Sequence, residues 1–365
     1  MDIRHETLTG KLTMPQGDSS AAAKPPAADY KLFAAMREKI SRIPRVNIAV
    51  RPTPMMEAPN LARHLGGPRI FIKRDDMTGV ALGGNKLRNL EFRLARALDE
   101  KPDTVIVGLD LQSNSARQTV GACNKLGLRT VLVLEGKRPD MVQGNLLLDY
   151  VLGAEVRFAP DARAQREVMD ETANQLRAAG RRPYILNDNP MFDVASALAY
   201  LDTTMEMLDQ LHAEGVEADC FYMSSGGKGQ AGVALARKAL GGRFIMRGVT
   251  ASHKHDVPNR TASIANQTAA LLGLEVKVEP AEIENYDNFV DKGYGLPSEV
   301  GNEAVRLFGR HEGIILDPIY TGKCAAAMIA HIREGRFRKD EVVVFVHTGG
   351  MPAIFTWNAA LLAAG

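Results

Sequence analysis

The sequence predicts an α/β protein with two open, twisted, mostly parallel sheets and helices on both faces. Three observations predict it. Short apolar runs recur at Arg69–Lys73, Thr104–Val107, Thr130–Leu134, Tyr184–Leu186, Phe221–Met223, Phe244–Val249 and Val342–Val346. They are nearly continuous, the pattern of strands covered on both sides. Between them run helical spacings, such as Leu198, Leu201, Met205, Leu208 and Leu211, and strand–helix alternation builds parallel sheets. Finally, 365 residues exceed what one core usually holds, so two α/β units with a site in the crevice between them are expected.

Taken in order, residues 1–28 read as an extension. The tract 17–29, GDSSAAAKPPAAD, has little to bury. A short helix follows from Asp29 to about Ile43, and the extension with its helix ends at residue 46. Pro44, Pro52 and Pro54 then hold an extended segment, because proline fixes φ and biases its predecessor away from helix. Residues 47–88 and 197–365 are assigned to a larger unit and 89–196 to a smaller one. There is no repeat and no heptad.

Composition excludes several function classes. A net charge of +2 gives no global field toward nucleic acid or a membrane surface. The three cysteines, Cys123, Cys220 and Cys324, are scattered, which suits a reduced compartment, no disulfides and no metal hook. No apolar stretch reaches the ~18 residues of a membrane span, and the N-terminus lacks an apolar signal core, so a cytoplasmic protein is expected.

The chemistry concentrates at four chain joints. Thr78 to Lys86 is glycine-rich and opens a helix marked by Leu87, Leu90, Leu94 and Leu98. Lys86 is either an exposed lysine after a turn or a reactive amine whose basicity the helix start lowers. Ser113, Asn114 and Ser115 open another helix, either as caps or as ligands. Ser224 to Gly232 is a glycine-rich strand-to-helix turn, whose backbone amides suit a phosphate. It is neither a Walker loop nor a GxGxxG fingerprint, which argues against a dehydrogenase. Val346 to Pro352 ends the last strand, with Thr348 as a possible hydroxyl ligand and His347 as a possible core histidine. The His253 and His255 pair lacks further ligands, so no metal is expected.

Seven segments in order, RPTPMMEAPNLARHLGG, IFIKRDDMTG, GGNKLRNLEF, QSNSARQT, GYGLPSE, LDPIYTGK and HTGGMPAIF, run from Arg51 to Phe355. Together they resemble the fold-type II pyridoxal-phosphate family, in the branch of D-cysteine desulfhydrase and 1-aminocyclopropane-1-carboxylate deaminase. The resemblance implies a tryptophan synthase β-like fold with the larger unit holding pyridoxal 5′-phosphate. It implies that Lys86 is the Schiff-base lysine, and that Ser113 and Asn114 meet the substrate carboxylate and the cofactor 3′-oxygen. It places phosphate at Gly226, Gly227, Lys228 and Gly229. Tyr294 becomes the active-site tyrosine and Tyr286 a second one by a looser alignment. Thr348 becomes the partner of the pyridine nitrogen, with Glu299 as rival.

Two positions depart from the family pattern: Lys228 stands where relatives carry Ser or Thr, and Ser115 where they carry His or Gln. Both are expected to touch substrate or cofactor. The implied reaction is β-elimination from D-cysteine or a similar β-substituted alanine, giving pyruvate, ammonia and the leaving group. Alternatives are the cyclopropane deaminase reaction and L-cysteate sulfo-lyase activity. A non-catalytic phosphate or nucleotide binder is the alternative of another class. The expected partners are a small amino acid and a second copy of the chain in a homodimer.

Overall fold

Ten strands form two sheets in the computed structural model, which describes residues 30–362. In chain order they are β1 (Met55–Glu57), β2 (Arg69–Lys73), β3 (Thr104–Asp110), β4 (Arg129–Glu135), β5 (Glu155–Ala159), β6 (Pro183–Ile185), β7 (Cys220–Ser224), β8 (Ile245–Val249), β9 (Glu284–Tyr286) and β10 (Val342–Val346). One sheet has the order β1-β2-β10-β7-β8-β9 and the other β5-β4-β3-β6. Every pairing is parallel except β1 with β2.

Both faces of each sheet are buried. Along β10, Val342, Val344 and Val346 join one apolar cluster while Val343 and Phe345 join the other. In the smaller sheet Val105 and Val107 face one cluster, and Ile106 with Val131 and Val133 faces another. Successive side chains on a strand point to opposite faces, so two-sided cover selects apolar residues at every position.

Three strands escape the apolar-run criterion: β1, β5 and β9. Each lies at a sheet edge. Edge strands are half solvated, and these carry exposed or half-exposed residues such as Glu57, Glu155 and Glu284.

The expected N-terminal helix spans Tyr30–Ser41 and buries Phe33, Met36 and Ile40 against the cluster of helix Val194–Ala213. The extension proposed for residues 1–28 lies outside the described residues. Helix Val194–Ala213 is buried on nearly all sides. It meets helix Lys228–Ala239 closely: a Cβ on Gly232 would stand 2.2 Å from the Ala197 carbonyl oxygen, so only glycine permits this crossing.

Beneath the crevice lies a network of buried charge. Lys73 Nζ donates to Glu206 Oε1 (2.5 Å), the Thr53 carbonyl (2.7 Å) and Gln210 Oε1 (2.6 Å). Arg88 bridges Glu206 and Asp75, both at 2.8 Å, and the Tyr200 hydroxyl donates to Asp75 at 3.0 Å. This ties β2 and the loop after it to helices Lys86–Leu98 and Val194–Ala213. Among the described residues no helix is long and apolar enough to cross a membrane.

Candidate active site

The four joints converge. They surround two adjoining cavities of about 410 and 170 Å³, both lined by Asn85, Lys86, Ser115, Ser224, Tyr294 and Tyr320. The joints follow the carboxyl ends of β2, β3, β7 and β10, where parallel sheets place their sites.

Lys86 opens helix Lys86–Leu98. The turn before it contains four consecutive residues in the left-handed region, Ala81 to Gly84. At Gly84 (φ +123°) a Cβ would lie 2.5 Å from the Gln118 amide, and a Cβ on Gly349 would press the Gly84 backbone at 2.8 Å. The first and fourth joints therefore touch backbone to backbone. The Asn85 amide donates to the Thr348 carbonyl at 3.0 Å.

Lys86 Nζ donates to Asn85 Oδ1 at 3.1 Å. Its pKa falls to about 8, first because burial penalises the ammonium, then because Arg93 and Lys228 are positive. The helix start was expected to lower it. The direction agrees, but the main causes are burial and two cations. A depressed lysine pKa makes the neutral amine abundant above about pH 8 rather than near 10.5. Condensation of the cofactor-free protein with pyridoxal phosphate, followed by absorbance, is therefore expected to accelerate with a midpoint near pH 8. Removing the Arg93 charge (Arg93→Met) is expected to move that midpoint up.

Ser113 is the N-cap of helix Asn114–Lys125; its Oγ accepts from the Ser115 and Ala116 amides at 3.2 and 3.3 Å. Capping and ligation coexist here, because Ser113 also lines the smaller cavity. Asn114 Oδ1 accepts from Asn145 Nδ2 at 3.0 Å, which leaves its own amide as a donor.

In the third joint Ser225 Oγ accepts from the Gly227 and Gln230 amides at 3.0 and 3.3 Å and shapes the turn. Gly227 has φ +107°, and a Cβ on Gly226 would point into open space. The first-turn amides of helix Lys228–Ala239 lack intrahelical partners and add positive potential. Lys228 Nζ pairs with Asp193 Oδ1 at 2.5 Å and lies 4.2 Å from the Phe192 ring. Its pKa is also near 8, lowered by burial and partly restored by Asp193. Arg93 is 5% exposed, lines the same cavity and leaves Nε without a partner. Arg93 is one that sequence reasoning missed, though it sits seven residues after Lys86 on the same helical face.

Thr348 lines the smaller cavity. Glu299 does not: it begins helix Glu299–Glu312, is exposed and pairs with Arg306 at 3.2 Å. Nor does Tyr286 reach either cavity. It lies on edge strand β9 with its ring 4.6 Å from His331, and this corrects its expected place at the substrate. Tyr294 does reach, as expected. His347 is a satisfied core histidine, with Nε2 at 2.9 Å from the Ile315 carbonyl and Nδ1 accepting from Gly349. The His253 segment was expected to be a solvated loop; His253 is exposed, yet Lys254 and His255 reach the rim of the larger cavity. Among the described residues no group of three or more His, Cys, Asp or Glu is placed for a metal.

Two further residues complete the site. Tyr294 Oη donates to Asp110 Oδ2 at 3.0 Å and lies 2.8 Å from Tyr320 Oη. Burial, then the Asp110 charge, pushes Tyr294 up to about 12. Tyr320 sits inside the segment LDPIYTGK, the one sequence signal for it. Asp110 is the last residue of β3, which sequence reasoning ended three residues early.

A weakly basic, half-buried lysine stands across one cavity from a glycine-rich helix start flanked by cations. Those are the two ends that an aldehyde carrying a phosphate requires, and the donor set fits pyridoxal phosphate. The chain belongs to the pyridoxal-phosphate-dependent enzymes, whose family model matches residues 46–349. It is 38% identical over 330 residues to the D-cysteine desulfhydrase of Klebsiella pneumoniae (strain 342), covering 89% of this chain and 99% of that one. Identity to the D-cysteine desulfhydrase of Salmonella paratyphi C (strain RKS4594) is 36%, covering 87% and 98%. A crystal structure of an ACC deaminase homologue superposes with a TM-score of 0.80 at 33% identity, covering 92% of this chain and 99% of that one. Threonine deaminase isoform 2 of Solanum lycopersicum, at 17% identity and TM-score 0.63, shares the fold, covering 96% and 94%. This is the fold-type II arrangement expected from the sequence.

Proposed function

We propose that the protein eliminates the β-substituent of a small amino acid, D-cysteine first, giving pyruvate, ammonia and the leaving group. The observation that carries this is Lys86, a low-pKa amine facing the glycine turn across the cavity, in a chain 38% identical to a D-cysteine desulfhydrase.

When bound, pyridoxal phosphate spreads the negative charge of the substrate α-carbon into its ring. Lys86 would hold its aldehyde covalently and, as a neutral amine, would take the substrate α-proton. The turn Gly226, Gly227, Lys228 and Gly229 holds the phosphate, with Arg93 as a further cation. Asn114 donates to the 3′-oxygen, and Ser113 with Ser115 receives the substrate carboxylate. Thr348 would meet the ring nitrogen; a hydroxyl there would leave that nitrogen largely unprotonated, unlike a carboxylate. Tyr294 delivers the proton to the leaving group.

The likeness to an ACC deaminase homologue supports the cyclopropane amino acid as a second substrate. The cations Lys228, Lys254 and Arg260 in the larger cavity favour a third, L-cysteate, whose sulfonate is anionic. The protein is a cytoplasmic homodimer in this reading; its three cysteines, all free and buried, suit a reducing compartment. Light scattering of the purified protein tests the dimer.

The test of function is 2-oxo acid release from D-cysteine, L-cysteine, L-cysteate, D-serine and the cyclopropane amino acid. D-Cysteine is expected to give the highest kcat/KM. Release only from the cyclopropane amino acid or from L-cysteate would replace the main reading. No release from any of the five would leave a phosphate-binding protein without this chemistry.

A further inference from the structure

Asp110 closes β3, a strand of the smaller sheet, while Tyr294 and Tyr320 come from the segments flanking helix Glu299–Glu312 beside the larger sheet. Their hydrogen bonds, 3.0 Å from Tyr294 to Asp110 and 2.8 Å between the tyrosines, cross the crevice. A carboxylate only accepts, and a phenol has one proton to give. The protons are therefore ordered. Tyr294 gives its proton to Asp110, so Tyr320 must give its own to Tyr294. Asp110 and Tyr294 are both exposed and Tyr320 is half-buried; Asp110 borders the larger cavity, and the two tyrosines line both cavities. Asp110 therefore meets water at the edge of the cavity that the tyrosines face.

We propose that Asp110 is a positioning residue, the solvent end of a proton relay that recharges Tyr294 after it protonates the leaving group. The proposal rests on the β-elimination reading above. In the step, the bond from the β-carbon to the leaving atom breaks and its electron pair stays on that atom. The leaving atom takes the Tyr294 proton. The resulting phenolate keeps the hydrogen bond from Tyr320 and takes a proton from the Asp110 carboxyl, which has drawn it from solvent. Asp110 ends as a carboxylate, and the net transfer is one proton from solvent to the leaving group. Between turnovers the carboxylate keeps Tyr294 protonated. The other groups facing Tyr294 are the Tyr320 hydroxyl, Lys86 in the shared cavity, and Lys254, whose Nζ lies 5.3 Å from the ring centroid.

The test compares leaving groups on the holoenzyme. The β-hydroxyl of D-serine leaves well only when protonated, as water; β-chloro-D-alanine releases chloride, which needs no proton. Asp110→Asn is expected to lower kcat for D-serine about tenfold or more with little change in KM, part of a general-acid effect of ~10²–10⁴-fold. For β-chloro-D-alanine the expected change is about twofold or less by the same argument. Asp110→Glu is expected to restore part of the D-serine rate. Alkaline titration of tyrosine absorbance, with Tyr294→Phe as the subtracted reference, is expected to show a lower midpoint in Asp110→Asn. Equal slowing of both substrates with an unmoved tyrosine midpoint would make Asp110 a structural residue and overturn the relay. An unmodified enzyme inactive on these two substrates and on D-cysteine would overturn the elimination reading and the relay with it.

Discussion

Lys86→Ala is expected to lower turnover by about four orders of magnitude, the upper range for loss of a proton-transferring group. The size follows from two roles in one side chain: the covalent hold on the cofactor and the α-proton base. Lys86→Arg is expected to be nearly as inactive, because a guanidinium stays charged and supplies no nucleophile. Stability should move the other way. The folded protein lowers the Lys86 pKa to about 8, so below that pH the fold disfavours its ammonium. Its one hydrogen bond, to Asn85, is local. The melting temperature of Lys86→Ala, measured without cofactor at pH 7, is therefore expected to be unchanged or slightly higher. A variant that lost activity by unfolding would not behave so.

Glu206→Ala is expected to produce the largest loss of stability. It would leave Lys73 and Arg88, both 0% exposed at the side chain, without their shared carboxylate. Breaking a buried ion pair from one side costs about 3–5 kcal/mol, or roughly 5 °C in melting temperature for a chain this long. Glu206→Gln keeps hydrogen-bonding capacity and should cost less. Burial opposes the Glu206 charge, but Arg88 and Lys73 outweigh it and hold its pKa near 2, below the ordinary 4.5. A depressed carboxyl pKa stabilises the fold above the ordinary value, and that contribution fades as pH falls from about 4.5 toward 2. Thermal melts from pH 6 to pH 3 should therefore converge for the parent protein and Glu206→Ala as acid is added. Because Arg88 passes the network to Asp75 and Tyr200, and Tyr200 lines the cavity, the variant should also bind cofactor less tightly.

Legibility in the sequence followed burial. Strands β2, β7, β8 and β10 were readable because cover on both faces makes nearly every residue apolar. The edge strands β1, β5 and β9 need no such run. The apolar run of strand β3 ends at Val107, before Gly108. In the fold that glycine is a packing site: a Cβ would stand 2.8 Å from Met169 Sδ, and Asn187 closes the backbone on both sides at 2.8 and 3.0 Å. That early end hid Asp110, two residues beyond the glycine. Lys86, Ser113, Asn114, the glycine turn and Thr348 lie at joints that stand out locally, Tyr294 came from the family resemblance, and all line the cavities. Tyr286 came from loose spacing, and the direction of β9 takes it to His331 instead. Asp193 gains its place from tertiary contacts that no local pattern encodes, while Arg93 and Tyr320 had only faint signals, the helical spacing from Lys86 and the segment LDPIYTGK.

Every role assigned to the site depends on Lys86 carrying pyridoxal phosphate. Its most direct test is borohydride reduction of the loaded protein followed by peptide mapping. The label is expected on the peptide containing Gly84, Asn85 and Lys86, and it should be lost in Lys86→Ala. Label on Lys228, Lys73 or another lysine, or on none, would contradict the account.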